Sequence, residues 1–207
     1  MNPRAILASV GLLLISAIGT SQPAAAQAKE SQPDRFVSTS QLMFDGFDIP
    51  RAVDNGYKIR TDTAGWQYAV PVGTPKGSLV GASFKFNPTT KQVKPTSIVT
   101  QGTVSGNCGS ATLTLYTKTS GYTSYSLNGL YGGSVYHQWS ISLSARTGNT
   151  IVNRDGFPPF PGALNWGTNF SYNVGAAATN ASVSGVASGI VTTTLGTCSG
   201  LLPRDTI

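Results

Sequence analysis

Residues 134–144, SVYHQWSISLS, alternate so strictly that an extended strand is the one regular structure that can use the pattern. Val135, His137, Trp139, Ile141 and Leu143 fall on one side, and Tyr136, Gln138, Ser140, Ser142 and Ser144 on the other. Successive side chains of a strand point to opposite faces, so this segment offers one face to a core and one to water. The same spacing on a helix would spread the apolar residues around the whole circumference.

Other stretches follow the same rule. Residues 57–62, 65–72, 79–86, 96–104, 111–118, 121–127, 150–152 and 164–174 read as strands, and residues 181–196 as one long or two short ones. Turn residues at Asn128-Gly129, Gly132-Gly133 and Thr147-Gly148-Asn149 separate neighbours at hairpin distances. Charged residues make up 11% of the chain, too few for the exposed faces of several amphipathic helices, while Gly, Ser, Thr and β-branched residues abound. The expected fold is all-β, an antiparallel β-sandwich or partly closed barrel.

The chain is expected to begin with a signal peptide over residues 1–28. Arg4 supplies a short positive head, residues 5–18 are uncharged and largely apolar, and small residues follow at Ala24, Ala25, Ala26 and Ala28. The apolar run is shorter than the roughly 20 residues needed to span a bilayer as a helix. Residues 29–40 then read as a flexible lead-in, and 41–207 as a single β-rich domain. In an exported chain the only two cysteines, Cys108 and Cys198, form an even pair and are expected to be joined as a disulfide.

Two short segments resist the strand pattern. Residues 42–49, LMFDGFDI, mix aromatics with Asp45 and Asp48 and read as a loop tucking its rings under the domain. Two acids three apart invite a calcium loop, but the regular acid spacing and terminal Glu of such loops are missing. Residues 156–162, GFPPFPG, cannot pair as a central strand and read as a stiff crossover, with Phe157 or Phe160 plugging the edge of the core.

The residues argue against most familiar chemistry. His137 is the sole histidine, and its place between Val135 and Trp139 suggests a core or edge residue with one hydrogen bond rather than a general base. One His and two paired Cys cannot complete a tetrahedral zinc site. Neither a nucleophile elbow nor a phosphate-binding glycine motif is present in the sequence. No catalytic residue, metal or cofactor is therefore assigned.

Binding is the better-supported role. Tyr116, Tyr122, Tyr125, Tyr131 and Tyr136 lie close together in sequence, mostly beside Gly, Ser or Thr. Tyrosine combines a rigid apolar ring with a polar tip, which suits sugar rings and protein partners. These five form the expected contact face for a glycan or a protein. The net charge of +6 is uneven: no Asp or Glu lies between Thr63 and Arg154, where Lys76, Lys85, Lys91, Lys94, Lys118, Arg146 and Arg154 stand. The scatter of these cations, without an Arg-rich cluster, reads as a solvated surface rather than a specific nucleic-acid site. Membrane contact or pore formation is the alternative, resting on the weakly alternating Ser/Thr/Gly/Val segment 181–196. A hydrolase built on His137 ranks below it.

Overall fold

The computed structural model describes residues 38–96, 107–175, 181–200 and 202–207. The expected signal segment, most of the lead-in and residues 97–104 of an expected strand lie outside the described residues. What is described is almost entirely antiparallel β-structure, with a nearly closed, barrel-like sheet and a second, smaller sheet.

In chain order the elements are β1 (Ser38–Phe47), α1 (Ile49–Asp54), β2 (Tyr57–Thr61), β3 (Gln67–Pro71), β4 (Phe84–Asn87), β5 (Gln92–Pro95), β6 (Asn107–Thr117) and β7 (Ser120–Leu127). A 3-10 turn at Gly129–Tyr131 leads to β8 (Ser134–Ala145), β9 (Gly148–Asn153), β10 (Asn165–Ser171), β11 (Val183–Thr193), β12 (Gly196–Gly200) and β13 (Arg204–Thr206). The large sheet runs β10-β7-β6-β1-β12-β11-β8-β9, with β13 pairing β11 beyond the end of β12. The small sheet runs β2-β3-β4-β5.

The opening alternation becomes β8, which pairs β11 on one side and β9 on the other. His137, Trp139, Ile141 and Leu143 are buried as expected. Val135 is not: the register steps from Ser134↔Thr193 to Tyr136↔Thr192, and at that bulge Ser134 takes the buried place. The Gly/Ser/Thr-rich segment 183–193 is one long internal strand, held by β8 along one edge and by β12 and β13 along the other. Its small residues have a packing reason. A Cβ on Gly189 would stand 2.4 Å from the Trp139 ring of the facing strand.

The segment read as a loop is the largest correction. Residues 42–47 belong to β1, a central strand between β6 and β12. Asp45 is the residue skipped between Phe44↔Cys198 and Gly46↔Thr197, and Ser199 Oγ donates to its carboxylate at 2.9 Å. Asp48 caps α1 by accepting from Arg51 N at 3.1 Å. The two acids that resemble turn residues in sequence are thus a bulge and a helix cap. A second correction concerns residues 79–86: only Phe84 to Phe86 are in a strand, β4, and residues 79–83 remain loop.

The proline-rich loop also differs. Phe157 and Phe160 are 79% and 63% exposed, and Pro158 is the buried residue. The loop follows β9 along the edge of β8, bonded at His137↔Gly156 and Ser134↔Ala163. Its approach is so close that a Cβ on Gly133 would sit 2.0 Å from the Gly162 carbonyl oxygen.

The core is one connected cluster. Leu113, Leu115, Ile141, Leu143, Val183 and Ala187 fill the barrel, while Phe44, Phe84, Phe86 and Tyr131 join the barrel to the small sheet. The disulfide Cys108–Cys198 ties β6 to β12 across β1, with Cα atoms 6.1 Å apart. Cys108 is the residue skipped between Leu42↔Gly109 and Met43↔Asn107, so the bulge releases it from the ladder.

The bridged cysteines are 90 residues apart, a separation for which closing the loop stabilises the fold by about 4–5 kcal/mol through unfolded-state entropy. Replacing both cysteines with Ser should lower the unfolding free energy in urea by that amount. Reduction of the native protein should do the same, and a loss below about 1 kcal/mol would contradict the entropic account.

Candidate functional site

The five tyrosines do not form one surface. Tyr125 and Tyr131 are 2% and 1% exposed, Tyr122 and Tyr136 are half-buried, and Tyr116 is exposed. The strand period accounts for the split: Tyr122 lies on the outer face of β7 and Tyr125, three residues on, faces inward. Tyr122 lies so close over Gly167 of β10 that a Cβ there would meet its hydroxyl at 2.0 Å. Burial pushes the Tyr131 hydroxyl up to about 12, and that of Tyr125 up as well. Both belong to the core, which removes them from the expected contact face.

His137 sits in an aromatic box. Its ring centroid is 4.2 Å from that of Trp166 and 5.6 Å from that of Tyr125, and Trp166 stacks on Tyr125 at 5.3 Å. The Tyr125 hydroxyl lies 3.2 Å from His137 Nδ1 and 2.9 Å from Ser134 Oγ. Trp139 Nε1 donates to Thr123 Oγ1, which donates in turn to the Thr112 carbonyl, each at 3.0 Å. Asp155 Oδ1 accepts from the Trp139 backbone N–H at 2.7 Å. Ser134 and His137 therefore share the Tyr125 hydroxyl, and Asp155 is occupied by backbone. With 2% exposure, His137 is a packed residue with a satisfied ring nitrogen. Among the described residues, no group of three or more His, Cys, Asp or Glu side chains is placed to hold a metal ion.

The small sheet holds the arrangement that sequence reasoning missed. Directly opposed pairs run Arg60↔Tyr68, Tyr68↔Lys85 and Lys85↔Lys94, so a single row crosses all four strands on one face. Lys58, two residues before Arg60, shares that face. The opposite face presents Ala69, Phe84, Phe86 and Val93 to the core. Period two thus sorts the sheet into an apolar underside and a top on which Lys58, Arg60, Lys85 and Lys94 stand around the buried Tyr68 and Val70.

A cleft of about 640 Å³ opens on this face, lined by Lys58, Arg60, Lys76 and Lys85 with Asp62 and Tyr68. Not all of these cations are available. Arg60 donates to the Pro75 carbonyl at 2.5 Å and to the Thr74 carbonyl, which fixes the 72–82 loop as a wall of the cleft. Lys85 Nζ donates to Asp62 Oδ2 at 2.8 Å. The Asp62 carboxylate also accepts from Ala64 N and Trp66 N at 3.0 Å each, tying the β2–β3 turn. The Lys85 bond comes first among the causes that hold the Asp62 carboxyl below the usual range. Lys94 Nζ stands 4.3 Å from the centre of the Trp66 ring. Lys58 and Lys76 have no acidic partner among the described residues.

A signal for this face exists in the sequence. In Phe84-Lys85-Phe86 and Val93-Lys94 every cation alternates with a buried apolar residue, which puts the charges on one side once registers are known. Lys58, Arg60, Lys76 and Lys85, scattered in sequence, converge on one cleft, whereas Lys118, Arg146 and Arg154 do not line it. Comparison with known proteins supplies no relative: no family model, no curated protein and no solved structure matches the chain.

The His137 box makes a testable statement about stability. Burial is the main cause holding its imidazole below the ordinary 6.5, opposed by the Arg154 backbone and the Asp155 charge. As pH falls below 6.5, the unfolded chain takes up the proton before the native state does, so stability drops on acidification until the native His137 is protonated. His137→Gln should flatten this dependence between neutral and mildly acidic buffer in urea titrations. An unchanged slope would place the responsible group elsewhere.

Proposed function

We propose that this chain is an exported, non-catalytic binding protein that takes an anion-rich ligand along the outer face of the β2–β5 sheet. The carrying observation is the cross-strand row Arg60–Tyr68–Lys85–Lys94 beside a cleft in which Lys58 and Lys76 have no acidic partner among the described residues. Ammonium groups suit closely spaced phosphate, sulfate or carboxylate, and the half-buried Trp66 adds flat apolar surface beside them. Arg60 and Lys85 hold the walls in place, so the site is built before the ligand arrives. The signal-like residues 1–28 and the Cys108–Cys198 bridge support an oxidising, exported setting. The expected glycan or protein partner is narrowed to an acidic one, and the contact face moves from the tyrosines to the small sheet.

Dextran sulfate and uncharged dextran, titrated by calorimetry, test this reading. Binding of the sulfated polymer alone is expected, weakening as salt rises. Lys58→Ala combined with Lys76→Ala should weaken it about tenfold or more, two exposed charge contacts each contributing up to about 1 kcal/mol. Tyr116→Ala with Tyr122→Ala should leave it unchanged. Equal binding of both polymers, or loss in the tyrosine variant alone, would refute the assignment.

A further inference from the structure

Exposed apolar side chains scattered singly over a surface are ordinary. Here they gather. Leu79, Val80, Leu130, Phe157, Phe160 and Leu164 are all exposed, and all come from three segments of irregular chain at residues 72–82, 128–133 and 154–164. These segments touch one another. Gly81 and Ser83 line the same small cavity as Gly129 and Leu130. A Cβ on Gly129 would stand 3.6 Å from Leu164 Cδ1, and Gly133 packs directly on Gly162. The three adjoining segments therefore carry a band of large exposed apolar side chains reaching from the 72–82 loop to the proline-rich loop.

The band is held firmly. Gly81 lies against the Pro71 ring, Arg60 bonds the Thr74 and Pro75 carbonyls, and Phe157 packs edge-on to Tyr136 with ring centroids 5.4 Å apart. Pro158, Pro159 and Pro161 stiffen the loop that carries the two phenylalanines. Rings of 79% and 63% exposure on a stiff frame bury little of their area in the fold, Phe157 through its edge contact with Tyr136.

The band is continuous with the cationic cleft, because Leu79 of the same loop lines the cleft beside Lys76. Apolar tips bordering lysines without an acidic partner among the described residues match a phospholipid surface: the tips enter the acyl boundary while the lysines remain at headgroup level. A soluble polyanion would use the lysines and leave the band idle. We infer that the anion-rich ligand is the surface of an anionic bilayer, on which the protein docks through Leu79, Val80, Leu130, Phe157, Phe160 and Leu164, with Lys58 and Lys76 meeting the headgroups. This rests on the cleft being an anion site. It names what the anions are attached to.

Vesicle co-sedimentation of the purified protein, with loss of residues 1–28 checked by mass spectrometry, decides it. Three samples are compared: phosphatidylcholine vesicles, phosphatidylcholine–phosphatidylglycerol vesicles, and dextran sulfate in solution. The expected result is binding to the mixed vesicles and much weaker binding to phosphatidylcholine alone. Phe157→Ser with Phe160→Ser should lower vesicle affinity about tenfold or more, with dextran sulfate binding and thermal stability unchanged. Lys58→Ala with Lys76→Ala should lower it by about thirtyfold. Binding of dextran sulfate without any vesicle binding would overturn the bilayer inference and leave the cleft standing. Vesicle binding indifferent to the phenylalanine variant would overturn it too. Equal binding to both vesicle types, insensitive to the lysine variant, would overturn the inference and the cleft reading together.

Discussion

Phe44 holds the two sheets together. It projects from the centre of the large sheet and meets Phe47, Phe84, Phe86 and Tyr131 with ring centroids 5.1–5.3 Å apart. Edge-to-face and tilted contacts of this kind add to the burial of some of the largest side chains available. A four-stranded sheet of strands this short has little stability of its own until one face is covered. The lysine-bearing top of the small sheet is therefore presented only because its underside is anchored on Phe44. Any change that loosens that ring reaches the cleft without touching a lysine.

The barrel interior is less uniformly apolar than its strands suggest, and it tolerates this because each polar group is bonded. Thr193 Oγ1 lies 2.7 Å from the Tyr131 carbonyl and accepts from Leu195 N and Gly196 N, closing the tight turn between β11 and β12. Thr123 links the Trp139 indole to β6. Tyr125 serves Ser134 and His137 together. Among the described residues, no buried side-chain nitrogen or oxygen is left without a partner. An unbonded polar group in this setting would cost about 1–3 kcal/mol, so such networks select one packing arrangement over its neighbours.

Part of the glycine content follows from the same close packing. Gly185 faces Leu113, Leu115 and Leu143 inside the barrel, where a Cβ would meet all three at 3.2–3.4 Å. Asp205 extends the economy to the carboxyl end, its Oδ2 accepting from Leu115 N at 2.6 Å on β6. A carboxylate thereby satisfies an amide just past Leu113, the last β6 residue paired with β1. The result is a closely packed, nearly closed barrel with a small sheet and three loops that carry exposed apolar side chains.

Local alternation was enough to determine the fold class, the strand character of β8 and the inward face of His137 to Leu143, because period two depends only on neighbouring residues. The disulfide followed from the cysteine count in a chain with an export-like start. Position within the sheet was beyond local pattern. Residues 42–49 resemble a loop because Asp45 and Asp48 serve as a bulge and a cap, roles that exist only once β12 and α1 are in place. The tyrosines looked alike in sequence, yet Tyr125 and Tyr131 entered the core while Tyr116 stayed outside. The lysines looked scattered, yet strand pairing set Lys85 beside Lys94 and brought Arg60 across Tyr68. Which residues share a strand face is written in the chain, but which strands stand side by side is decided by pairing and packing between distant segments.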